Sequence, residues 1–258
     1  IVAALQMIVV AALAANRNID LLYDISWGAL QLAEATLQWQ TQDNKAFILG
    51  SVKSDGIAEL VSGFQSASSA EIKFHTNEWH PIYLSLSRIT KSKQIASSVH
   101  WSASGDILSD VQQPPPDLGK VFPILDELKQ NVIDPYSAVM RQLDYIGNYG
   151  KCAGSYEIYD GLRRFEMQFD TIGDIDLVAD RPNGFDGQAL HCQITVFPKG
   201  GHRIESSWHE KPDKDRQLSV YFGRFPEDLV LPVRVELEAP IGTGVARLNM
   251  VRSSIPGI

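Results

Sequence analysis

The chain has 258 residues, of which 44% are hydrophobic and 21% charged, with five tryptophans and two cysteines. That composition belongs to a globular protein with a substantial core, and one large β domain of this length needs no subdivision. A formal net charge of −8 argues against nucleic acid or an anionic membrane surface as the main partner, and two cysteines make neither a disulfide-dense scaffold nor a four-ligand zinc site.

Residues 1–15, IVAALQMIVVAALAA, are almost wholly apolar, and Ala12-Leu13-Ala14 has the small-x-small form of a signal-peptidase site. The expectation is a partial export signal over 1–15 followed by a single antiparallel β domain over 16–258. A buried helix or a single membrane anchor is the other reading, but the stretch falls short of the roughly 20 residues a spanning helix needs. No second apolar stretch approaches it, so the body is not expected to be an integral membrane protein. In an exported chain Cys152 and Cys192 favour one disulfide over a buried pair of free thiols.

From Leu21 to Gln40 the chain reads as two strands meeting at Trp27-Gly28-Ala29, with Ala33, Ala35, Leu37 and Trp39 alternating with polar neighbours. Ala46–Lys53 continues the sheet, and Ile57–Gln65 is ambiguous between helix and loop because Gly63 interrupts it. Ala70–Thr76, Pro81–Thr90 and Gln94–Ser102 form a meander of three further strands. Gln112–Asp117, QQPPPD, ends it as an extended linker.

Past the prolines a short helix is expected over Val121–Gln130, and an amphipathic one after Asp134-Pro135. There Tyr136, Val139, Met140, Leu143 and Ile146 share a face and Gly147 offers a left-handed stop. The firmest element is a hairpin over Tyr156–Phe169, with Asp160-Gly161 as a two-residue turn between alternating runs. Gly173–Ala179 is a short strand before the Asn183-Gly184 turn, and Gln188–Phe197 another, ending in a turn at Pro198-Lys199-Gly200-Gly201. His209–Arg216 is expected to be a solvated loop. Gln217–Gly223, Val230–Leu237 and Val245–Val251 complete the sheet, with Gly242-Thr243-Gly244 as the last turn.

The succession of Tyr23–Leu37, Asp134–Leu143, Asp160-Gly161 with Arg163-Arg164, Cys192 and Leu231-Pro232-Val233-Arg234 resembles the bacterial exported family known as domain of unknown function 3108. The resemblance spans nearly all of the expected mature chain and rests on the order of its motifs. It implies a periplasmic or envelope-associated protein, mainly β, built as a large curved antiparallel sheet or incompletely closed barrel with one or two helices against it. It brings no catalytic residues with it.

Direct signals of chemistry are weak. None of the six histidines shows a tight ligand spacing, and His191, His202 and Asp186 are the least poor metal set; no metal or cofactor is expected. No G-x-S-x-G elbow is present, and His191 and Cys192, adjacent on a strand, point to opposite faces. Asp174/Asp176 and Asp213/Asp215 read as turn carboxylates. Arg163-Arg164 reads as a solvated pair in preference to an anion site. Tryptophans and tyrosines on alternating strand positions fill a core or line a concave face. On the second reading Trp27, Trp39, Tyr83, Trp101 and Arg163 are the candidate ligand residues, for a lipid-like or other apolar ligand or for an envelope protein partner. A metal-dependent or hydrolytic envelope enzyme, and a structural module of an envelope complex, are the alternatives.

Overall fold

The computed structural model describes residues 16–205, 217–239 and 242–253. The candidate export signal, Trp208, and the charged run from His209 to Arg216 lie outside these. Thirteen strands are described: β1 Arg17–Trp27, β2 Leu30–Gln42, β3 Lys45–Ser54, β4 Gln65–His75, β5 Glu78–Ile89, β6 Gln94–Trp101, β7 Ile107–Gln113, β8 Ala153–Tyr159, β9 Arg164–Leu177, β10 Gly187–Gly200, β11 Gln217–Phe225, β12 Leu229–Ala239 and β13 Gly242–Ser253. Helices α1, Gly56–Ser62, and α2, Pro135–Tyr149, complete the set with a single 3-10 turn at Asp126–Lys129.

All thirteen strands form one antiparallel sheet in the order β7-β6-β5-β4-β3-β2-β1-β13-β12-β11-β10-β9-β8. Every pairing except β1 with β13 joins sequence neighbours, so the chain is two meanders sewn together at its two ends. The free edges, β7 and β8, curl toward each other. The Tyr159 hydroxyl at the end of β8 donates to Asp110 of β7 at 2.7 Å, and Lys129 pairs with the same carboxylate at 2.7 Å. No backbone ladder joins β7 to β8, so the sheet is an incompletely closed barrel, as expected. The outer edge of β8 is partly covered by Ile133, whose N–H donates to the Glu157 carbonyl and whose carbonyl accepts from Tyr159 N–H, both at 2.9 Å, which hides ladder groups that would otherwise recruit another chain.

Helix α2 starts where the sequence predicts. The Asp134 carboxylate accepts from the N–H groups of Tyr136 at 2.7 Å and Ser137 at 3.2 Å, and Pro135 stands at N1, where no donor is lost. The helix ends at Gly150, φ 67°, whose N–H donates to the Ile146 carbonyl at 2.8 Å. The expected stop at Gly147 is thus one turn early: that glycine lies inside the helix with open space where a Cβ would be. The buried side of α2 carries Ala138, Met140, Gln142, Leu143 and Ile146.

This helix does not merely lie on one sheet face. It touches β4, β5, β8 and β12, which belong to both meanders, and its polar groups tie it to several walls. The Tyr136 and Ser68 hydroxyls share a hydrogen bond of 2.6 Å, Arg141 Nε donates to the Trp79 carbonyl at 2.7 Å, and Arg224 donates to the Ile146 carbonyl at 3.3 Å. At Gly50 any Cβ would stand 2.5 Å from the Tyr136 hydroxyl, so a side chain at this wall position would collide with the helix. Ile146, Phe169, Val99 and Leu231, each at most 2% exposed, share one core with the helix; burying each such side chain stabilises the fold by about 2 kcal/mol. One buried acid, Asp134, and one half-buried acid, Asp144, go with it. Burial pushes Asp134 up to about 6 against the hydrogen bonds it accepts from Ser137 and Tyr136, and pushes Asp144 up to about 7 against the bond it accepts from Trp79 Nε1.

The Cys152–Cys192 disulfide forms, linking the entry of β8 to β10 across a sequence separation of 40 with both residues buried. On the chain-entropy account that closure contributes about 4 kcal/mol. Several local expectations are corrected. The β8–β9 turn centres on Gly161-Leu162: Asp160 N–H donates to the Arg163 carbonyl at 3.2 Å, and only Gly161 takes a positive φ, 80°. Asp160 stands before the turn because its carboxylate accepts from Leu162 N–H at 2.9 Å and Arg163 N–H at 2.6 Å. Val121–Gln130 is helical only in the 3-10 turn at Asp126–Lys129 and is not an α-helix. Pro123 has no N–H to donate and favours an extended residue before it, and Phe122 instead exchanges backbone hydrogen bonds with His202 and Gly201. Gly173–Ala179 is mostly the far end of one long β9, and Pro198-Lys199-Gly200 continues β10 because Lys199 is held by Glu157 at 2.7 Å and Glu166 at 2.8 Å. Thr243 and Gly244 belong to β13, paired with Glu238 and Leu237. The ambiguous Ile57–Gln65 stretch resolves into α1, capped by Asp55, and the opening of β4; β7 is a strand that the sequence reading did not anticipate.

Candidate functional site

Because β7 and β8 are not laddered together, the connection between them runs over the gap and encloses a cleft of about 1100 Å³. One wall is the β5–β6 hairpin, with Arg88, Thr90, Lys93 and Ile95. The other is the β8–β9 turn, with Tyr159, Leu162 and Arg163. Pro114, Pro115, Pro116, Leu118, Phe122 and Pro123 form the apolar roof. The roof is extended because consecutive prolines fix φ and cannot donate to a ladder. It is anchored where Gly201 N–H donates to the Phe122 carbonyl at 2.8 Å. Gly201, φ 75°, passes so close to the β8–β9 turn that a Cβ would run into the Leu162 carbonyl.

The cleft is cationic although the chain is acidic. Arg88, Lys93, Lys120, Lys129, Arg163 and Arg203 line it against only Asp110 and Asp117. Lys129 is matched by Asp110 at 2.7 Å, Lys120 by Asp117 at 2.9 Å, and Arg203 by Glu205 at 4.0 Å. Arg163 makes a two-nitrogen pair with Asp160 at 3.0 and 2.8 Å. Burial and the neighbouring positive charge of Arg163 hold the Arg88 guanidinium below its usual range. Tyr159, buried and bonded to Asp110, is pushed far above an ordinary phenol, by burial first and by that carboxylate second.

Of the five ligand residues expected from the sequence, Arg163 lines this cleft and the four aromatic residues do not. Trp39 and Trp101 are buried in the core, each with an indole N–H that meets no acceptor among the described residues. Trp27 packs against Gly242 and Gly244 at the β12–β13 end. Tyr83 stands on the face opposite Leu84, its ring 4.5 Å from that of His100. The arginine pair splits: Arg163 faces the cleft, whereas Arg164 is not solvated at all. Its side chain is 5% exposed, pairs with Glu157, and donates to the Leu128 and Phe165 carbonyls at 2.6 and 2.8 Å. His191 stacks on Tyr221 at 4.5 Å and His202 sits in the cleft wall. Among the described residues no three of His, Cys, Asp and Glu are placed to hold a metal, and His191, His202 and Asp186 form no such group.

Residues 22–249 match the family described as protein of unknown function DUF3108. The chain belongs to the DUF3108 family. No curated protein matches it. Among solved structures, the DUF3108 chain is similar to a crystal structure of a beta-barrel-like protein of domain of unknown function DUF1849 from Brucella abortus. The likeness covers 92% of this chain and 97% of that one, with a TM-score of 0.52 and 7% identity. At that identity the likeness is one of fold: both chains are barrel-like. Among the described residues no helix of this DUF3108 protein is long and apolar enough to cross a membrane.

Arg88, Lys93 and the proline roof were missed as site residues because they are far apart in the sequence and each has an ordinary role there: strand end, turn lysine, linker. The one available signal was the QQPPPD break itself, whose three consecutive prolines cannot continue a strand ladder.

Proposed function

We propose that this DUF3108 protein is a non-catalytic binding protein of an oxidising, periplasmic compartment, and that the seam cleft holds the apolar part of a lipid-like ligand. The carrying observation is where the space lies. Helix α2 fills the middle of the curved sheet and is bonded to both meanders, whereas the seam keeps an open cleft of about 1100 Å³ under a proline and phenylalanine roof. Pockets of this size, apolar with a few converging polar groups, suit small amphiphilic ligands. The disulfide and the export-like opening of the sequence support the compartment.

Fluorescence titration with the neutral apolar probe N-phenyl-1-naphthylamine tests the reading. Saturable one-to-one binding is expected, weakened about tenfold by Leu118→Asp, since a charge in an apolar wall costs about the burial of a side chain. Leu118 is exposed, at 63%, so the variant retains the fold. Absence of saturable binding, or binding indifferent to Leu118→Asp, would overturn the cleft as the site.

A further inference from the structure

We propose that the ligand of the seam cleft carries an oxyanion, a phosphate or carboxylate head, seated between Arg88 of the β5–β6 hairpin and Arg163 of the β8–β9 turn, with Lys93 at the rim. This rests on the cleft being the binding site and says what binds there.

Arg88 faces the interior. On β5 it follows Leu84 and Leu86 at the period of two, and the cross-strand pairs Leu84 with Val99, Leu86 with Ser97 and Arg88 with Ile95 share one face. Val99 and Ser97 are buried, so the third pair opens inward at the cleft end of the barrel. An arginine in such a place needs acceptors. Its Nε is buried without a hydrogen bond, and no carboxylate pairs with its guanidinium among the described residues. The adjacent acid, Asp160, is already committed: it accepts from Arg163 Nε and Nη2 and from the N–H groups of Leu162 and Arg163. Arg163 therefore adds positive charge beside Arg88 while occupying the carboxylate that would neutralise both.

The other cations of the cleft sharpen the contrast. Lys129, Lys120 and Arg203 each have an acid of their own, whereas Lys93, at the tip of the same hairpin as Arg88, forms no ion pair among the described residues and only shares the field of Asp117, which Lys120 already engages. The protein thus gathers an arginine without an ion pair, a lysine that shares the acid of another lysine, and the Asp160-paired Arg163 around one opening of an acidic chain. A planar guanidinium with free donors is the group best matched to a phosphate or carboxylate, which it meets through two parallel bonds. The apolar roof over the same cleft takes the chain of such a molecule, and a head bound between the two hairpins would bridge the seam that the sheet leaves open.

Isothermal calorimetry on the full chain with octyl phosphate, 1-octanol, octyltrimethylammonium and inorganic phosphate, all below micelle-forming concentrations, tests this. Octyl phosphate is expected to bind about tenfold tighter than octanol, the size of a charge-assisted hydrogen bond, and the cation weakest. Arg88→Gln should erase that preference, so that octyl phosphate binds no tighter than octanol to the variant. Added salt should weaken octyl phosphate and spare octanol. Should Arg88→Gln not fold, Lys93→Gln at the exposed rim carries the same test with about a threefold loss. Equal affinity for octyl phosphate and octanol, or a preference that survives the folded variants, overturns the oxyanion assignment while the apolar cleft stands. Inorganic phosphate binding as tightly as octyl phosphate keeps the arginine site and removes the lipid-like chain. No binding by any of the four overturns both.

Discussion

The interior around α2 and the seam between β7 and β8 are built from the same curved sheet, yet they solve opposite problems. In the interior, residues from both meanders close on a helix with its N-terminus capped by Asp134 and its C-terminus by Gly150. At the seam two edges approach without a backbone ladder and are held by side chains, chiefly Tyr159 and Lys129 on Asp110. Apolar contact is what stabilises the first region; matched and unmatched charge defines the second. A barrel that is plugged rather than hollow keeps its open cleft at the place where closure fails.

Three substitutions would break or sharpen that contrast. Ile146→Ala removes a side chain 1% exposed on the buried face of α2 and should cost about 3 kcal/mol in urea unfolding, as core truncations do when the cavity cannot collapse. A loss below about 1 kcal/mol would mean that α2 is not integral to the core.

Asp144→Asn probes the acids on the same helix. Its native carboxyl is raised from 3.8 to about 7, so the folded state holds a proton that the unfolded chain releases. Stability from this group is full below pH 4, falls as pH rises between about 4 and 7, and is flat above. Asparagine keeps an acceptor for Trp79 Nε1 and does not ionise, so the loss of unfolding midpoint between pH 5 and pH 8 should shrink, leaving the part due to Asp134. An unchanged pH profile would remove Asp144 as its source.

Tyr159→Phe is the mildest of the three. It deletes the hydroxyl that joins β8 to Asp110 and should cost about 1 kcal/mol, because Lys129 still engages that carboxylate. A cost equal to that of Ile146→Ala would show the seam to be as integral to the fold as the plug.

Much of this architecture was legible in the alternation of side chains. Leu37 and Trp39, Leu84 and Leu86, and Ile158 and Phe169 announce strands, and Asp134-Pro135 announces α2, because these signals are local and repeat along the chain. The errors fell where a tertiary partner outweighs a local preference. Pro198 and Lys199 look like a turn until Glu157 and Glu166 capture the lysine, and Val121–Gln130 looks helical until Phe122 pairs with the chain at Gly201 and His202. The site was the least legible part, since Arg88, Arg163 and the proline roof meet only once the sheet has curled.

By itself the sequence determined the mainly antiparallel strand content, the central helix, the Cys152–Cys192 clamp and the family, each carried by short-range periodicity, by turn and cap residues, or by motif order. Tertiary structure alone decided that β1 pairs with β13, that α2 fills the curved sheet, that Arg164 is buried while Arg163 faces a cleft, and that the cleft is cationic. Those outcomes depend on which distant segments meet and on which charges find partners there, and no window of neighbouring residues encodes that.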